Sequence, residues 1–201
     1  MELEMDKNMG VSNTKQAYKF LQKLYFEVSY LIYEIEKSLF NEEEQFVICK
    51  SGGYAITSPS STGLDPIKVK MWPLRKMGVF FVPNHLTKFK QGITHTDLLT
   101  NPKILYMHII LDDPKFPEPC IYFGVLFHFS GKKYKRFEKA MRHLEEKASD
   151  IFTDSDLIDY EDANIKFKRK IFRNNLYDLN SRNDIDEMII KPALKVFREI
   201  Q

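Results

Sequence analysis

The sequence predicts an α+β fold: a mainly antiparallel five- to six-stranded sheet packed with three amphipathic helices, in the order α-βββββ-α-β-α. Three observations predict it. Apolar residues recur at helical spacing near both ends and once in between. β-rich runs occur in pairs separated by turn residues, which reads as two hairpins. No linker is long enough to separate two units, so residues 12–201 read as a single domain behind a short disordered lead, residues 1–11.

The first helix carries Ala17, Phe20, Leu21, Leu24, Val28, Leu31, Ile32, Ile35 and Leu39 at helical spacing. Asn13 followed by Gln16 resembles a capping box at its start. The acidic run Glu42–Glu44 is poorly placed for a helix C-terminus, so the helix is expected to end before it. Further aromatics lie outside the main stripe: Tyr18, Tyr25, Phe26, Tyr30, Tyr33 and Phe40. A helix apolar around more than half its circumference needs more than one partner surface. Deep burial or a homodimer through this helix would supply it.

Phe46–Ser51 and Tyr54–Ser58 flank Gly52-Gly53, a hairpin signal because both turn positions tolerate positive φ. Met77–Val82 reads as a buried strand stopped by Pro83. Residues 84–102 mix turn signals with one weak helical turn. After the central hairpin, Tyr134, Phe137, Met141, Leu144 and Ala148 form the stripe of a second helix. Asp150–Asp162 reads as an acidic loop, and Asn164–Arg173 as a strand near an edge. A last helix spans about 183–200 with Ile185, Met188, Ile189, Val196, Phe197 and Ile200 on one stripe. Pro192 inside it removes a donor and predicts a kink or break.

The central hairpin, Lys103–Phe129, is the strongest element. Alternation puts Leu105, Met107, Ile109 and Leu111 on one face of its first strand, and Ile121, Phe123, Val125, Phe127 and Phe129 on one face of its second. A register that joins these sets gathers nine large apolar groups. At roughly 1.5–3 kcal/mol for each such side chain fully buried, it should outweigh any one-residue slip. The loop Asp113–Glu118 holds two prolines and is expected to project into solvent.

The opposite face of that hairpin collects Tyr106, His108, Tyr122, Gly124 and His128. Histidine titrates near neutrality, and glycine admits a ligand or another backbone. These five residues are the ligand-pocket candidates. The competing reading is packed core, with the tyrosine rings buried and their hydroxyls at an edge. His108, His128 and Asp112 have no recognisable metal-ligand spacing, so no metal and no cofactor are assigned.

Two basic segments are nucleic-acid candidates: Lys132, Lys133, Lys135 and Arg136, and then Lys166, Lys168 and Lys170, which alternate onto one strand face. The adjacent acidic run would neutralise much of their field. Net charge is only +2, which advertises neither nucleic acid nor a membrane surface. There is no G-x-S-x-G elbow, no phosphate loop ending in GKS/T, no CxxC, and no Glu-x-Lys on the strand after Asp112 and Asp113. No catalytic residue is assigned.

Apolar residues at 43% and aromatics at 13% indicate a folded chain. No apolar run approaches the ~20 residues of a spanning helix, and two isolated cysteines make no disulfide framework. Those features point to a cytoplasmic protein with no membrane partner. The functional expectation is a non-catalytic domain binding a small molecule or a protein partner. The alternatives are a nucleic-acid-binding protein, or a hydrolase or metal enzyme.

Overall fold

The helical repeat near the N-terminus is one helix, α1 (Lys7–Phe40), in the computed structural model. The structure describes residues 7–48, 75–86, 103–131, 144 and 155–200. α1 begins within the expected lead, so Asn13 lies inside the helix rather than at its cap. It stops at Phe40, ahead of the acidic run, as its dipole requires. Gln45 then takes a left-handed backbone (φ 49°) and turns the chain into the sheet.

Among the described residues six strands form one sheet: β1 (Phe46–Ile48), β2 (Lys76–Pro83), β3 (Ile104–Ile110), β4 (Cys120–Gly131), β5 (Ser155–Glu161) and β6 (Ile165–Asn175). Their order is β1-β2-β3-β4-β6-β5, and every neighbouring pair is antiparallel. The fold is therefore α+β with an antiparallel sheet. The arm Tyr54–Ser58 and its glycine turn lie outside the described residues.

The β3–β4 register is the sorted one: Leu105 faces Val125, Met107 faces Phe123, and Ile109 faces Ile121. These residues build one side of the sheet with Met77, Val79 and Phe81 of β2. Val28, Ile32, Ile35 and Leu39 of α1 close over that side. So does the C-terminal helix α2 (182–199), through Ile185, Ile189, Ile190, Ala193, Leu194 and Phe197. We call this the helix face and the opposite side the second face.

Among the described residues there are two long helices, α1 and α2, rather than three. Of the expected middle helix only Leu144 is described; it is helical and fully buried against the second face. Pro192 does not break α2. A π-helical turn, Ile185–Ile190, precedes it, and the proline falls at the start of the α-helical part Lys191–Glu199. The Lys191 N–H already bonds the Asp186 carbonyl five residues back, so the ladder is out of α-helical step where the proline enters.

Three other expectations change. The acidic segment expected as a loop contains β5. Its Ile158 and Tyr160 are partly covered while Asp159 and Glu161 are exposed, so the acidic composition masked a two-residue alternation. β4 is also irregular: its register against β6 shifts between Phe127 and Ser130, and His128 has φ 53°. This bulge reverses the alternation, so Phe129 packs into the second face and not the helix face. Finally, the β3–β4 loop folds partly back. Asp113 is buried against Lys76, and Phe116 packs edge-on to Tyr122 with ring centroids 6.0 Å apart.

Candidate functional site

Antiparallel registers carry residues of one strand into rows across the sheet. On the second face one row reads Gly78, His108, Tyr122, Arg173 across β2, β3, β4 and β6. The next reads Phe80, Tyr106, Gly124, Ile171. Four of the five pocket candidates are thus brought together. Tyr106, His108 and Tyr122 are all fully buried. The Tyr106 hydroxyl lies 3.0 Å from His108 Nδ1, and the two rings stack with centroids 6.0 Å apart.

The space above Gly124 is taken by another backbone. A Cβ there would stand 2.6 Å from Ile171 Cα and would also strike the Lys170 carbonyl. Glycine is present because β6 approaches too closely for any side chain. His128 does not join the group. It is exposed, six residues along β4 from the row of His108, or about 20 Å. Asp112 is exposed and pairs with Arg75 at 3.4 Å. His108, His128 and Asp112 therefore do not converge. Among the described residues no three His, Cys, Asp or Glu side chains cluster as metal ligands do.

The structure adds two arginines to this face. Arg169 is buried, and that burial lowers its guanidinium pKa while Tyr122 opposes the shift. Arg173 lies over the Phe116 ring at 5.4 Å. Burial pushes the Cys120 thiol pKa up, and a hydrogen bond with Arg173 offsets part of that. The sequence signal for both arginines was the odd-numbered alternation of β6, overshadowed by its conspicuous even-numbered lysines.

Lys166, Lys168 and Lys170 do share one face of β6. Lys166 pairs with Glu161 at 3.0 Å and Lys168 with Asp159 at 3.5 Å, directly across the β5–β6 ladder. Lys170 lies over the Phe172 ring at 5.7 Å. The acidic strand thus meets two of the three cations one to one, which weakens a phosphate-tracking surface. Lys132, Lys133, Lys135 and Arg136 lie outside the described residues.

Of the eight large apolar side chains exposed among the described residues, six are on α1: Tyr18, Phe20, Phe26, Tyr30, Tyr33 and Phe40, so Phe20 leaves the inward stripe. The helix's inward residues Val28, Ile32, Ile35 and Leu39 are buried. Offset from Val28, Ile32 and Ile35 by two residues, about 200° around the helix, are Phe26, Tyr30 and Tyr33; Phe40 follows Leu39 directly, about 100° round. These four aromatics are between 48% (Phe40) and 72% (Phe26) exposed. Tyr30 and Tyr33 contact each other with centroids 6.5 Å apart. Lys23 and Lys37 continue the same stripe, and Lys23 pairs with Glu27 at 3.6 Å. Tyr25, one of the extra aromatics of the sequence, packs instead against the helix-face core. No described helix is long and apolar enough to cross a membrane. No family model matches the chain, and neither a curated protein nor a solved structure matches it.

Proposed function

We propose that this chain is a non-catalytic partner-binding domain whose docking surface is the outward face of α1. One observation carries the reading: four large aromatics stand in solvent on the side of a helix whose other side is already anchored to the sheet. Large contiguous apolar patches on a folded protein mark interaction sites. Aromatic residues also dominate binding hot spots because they bring much contact area with few rotatable bonds. The fully buried Tyr106, His108 and Tyr122 favour a role in packing over one as an open small-molecule pocket. We also propose a cytoplasmic location, a reading that the buried free thiol of Cys120 supports.

A photo-crosslinking amino acid in place of Tyr30 tests the proposal, with Tyr177 as control. Tyr177 is equally exposed but lies on the turn before α2. In cells, position 30 should yield a discrete adduct of defined mass, and position 177 should not. No adduct at position 30, or the same adducts at both positions, sinks the reading.

A further inference from the structure

We infer that the occupant of this surface is a second copy of the chain, docked with its α1 antiparallel to the first. The inference rests on the partner-binding reading and names the partner. The stripe reads Lys23, Phe26, Tyr30, Tyr33, Lys37, Phe40, with successive spacings alternating between three and four residues. That is the seam of a two-helix coiled coil.

The order along the stripe decides the orientation. Placed antiparallel about a twofold axis midway between residues 31 and 32, the six positions map onto one another. Lys23 falls opposite Phe40 of the second copy, Phe26 opposite Lys37, and Tyr30 opposite Tyr33. Every ammonium then meets an aromatic ring, a favourable cation–π pairing. Lys37 of the second copy also comes beside Glu27. A parallel arrangement would instead stack Lys23 on Lys23 and Lys37 on Lys37, which is repulsive. The pattern is self-complementary in one orientation only, as an isologous interface requires.

Area sets the strength. Four aromatics of about 150–250 Å² each, at their observed exposures, offer about 350–600 Å² per copy. Two copies bury about 700–1,200 Å² of aromatic surface before the lysine stems are added, the low end of specific interfaces. The dimer should therefore dissociate on dilution in the micromolar range.

Sedimentation velocity on the full chain from about 1 to 100 µM tests the dimer. The expected result is a monomer–dimer equilibrium that Tyr30→Glu with Tyr33→Glu weakens at least tenfold, with an unchanged circular dichroism spectrum. Orientation is read by oxidation. A Phe26→Cys chain mixed with a Lys37→Cys chain should form the 26–37 disulfide, identified by peptide mass. Phe26→Cys alone should form no 26–26 link, since those positions lie about 16 Å apart along the axis. A monomer throughout, a dimer indifferent to the two glutamates, or a 26–26 link overturns the inference. A monomer that still gives a position-30 adduct with a different protein overturns it while leaving partner binding intact. A monomer without any adduct removes both.

Discussion

The Asn174 side-chain amide donates a hydrogen bond to the main-chain oxygen of Met188 at 3.2 Å. Met188 is four residues before Pro192, so its carbonyl is the one that an N–H at position 192 would meet in an α-helix. β6 thus supplies from outside α2 a donor that the proline withholds. Asn174→Ala should cost about 1–2 kcal/mol. Pro192→Ala added to that variant should recover part of the loss by restoring an internal donor. Urea unfolding of the two singles and the double gives the coupling; strictly additive effects would refute the link.

Gly124 is held to glycine by the β6 backbone and not by a ligand. Gly124→Ala should cost about 3 kcal/mol or prevent folding, because main-chain atoms cannot step aside as a side chain can. A thermal melt within a degree or two of the parent would contradict this.

The two histidines should behave oppositely. His108 is buried and touches Tyr106, so His108→Ala should lose about 2–3 kcal/mol from a cavity and a broken hydrogen bond. His128 is exposed at a left-handed φ that favours glycine. His128→Gly should be neutral or stabilise by up to about 1 kcal/mol. Chemical denaturation of both variants checks the contrast.

Arg198 joins α2 to the turn after α1, bonding Glu44 at 3.0 Å and Glu42 at 2.9 Å. The bond from Arg198 is the largest influence on Glu44 and holds its carboxyl below the usual carboxylate range. A carboxyl whose folded pKa is lowered stabilises the fold fully above its unfolded pKa. That contribution fades as pH falls through the folded value. The wild type should lose about 1 kcal/mol more than Glu44→Gln between about pH 5 and pH 3. Parallel pH profiles for the two proteins would show that the pair contributes nothing.

Asp162 organises the β5–β6 turn. Its Oδ1 accepts from the N–H groups of Asn164 (2.6 Å) and Ile165 (2.8 Å), and its Oδ2 from the Tyr160 hydroxyl (3.0 Å). Asp162→Ala should cost about 1–2 kcal/mol and selectively speed hydrogen exchange in β5, which has one neighbour among the described strands.

The β3–β4 register was legible because a one-residue slip would strand large apolar groups such as Met107 and Phe123 on the wrong face. The bulge at His128 was not. Phe127, His128 and Phe129 alternate like the rest of β4, and nothing local marks the point where alternation reverses. β5 was hidden by composition, since only Ile158 and Tyr160 carry its inward face. Of the pocket candidates, Tyr106, His108, Tyr122 and Gly124 were placed together by alternation alone. Whether they met solvent or a neighbouring backbone depended on the approach of β6, which no local pattern encodes. The aromatics of α1 were visible from the start. Separating Tyr25 from Phe26 required knowing which side of the helix the sheet occupies.

Lys103 donates to the carbonyl oxygens of Phe197 (2.6 Å) and Ile200 (2.8 Å), 94 and 97 residues away, while Arg198 reaches back 156 residues to Glu42. The Phe197 ring meets Phe46 edge-on with centroids 4.9 Å apart. Translation delivers these partners in reverse order of need. The hairpins of the sheet can form as they leave the ribosome, but the part of the helix face that α2 covers stays open until residue 197 follows. Until then Phe81, Met107 and Phe123 have α1 over them without α2. In this chain, sensitivity to slow translation and dependence on chaperones should therefore concentrate in the moments before α2 emerges.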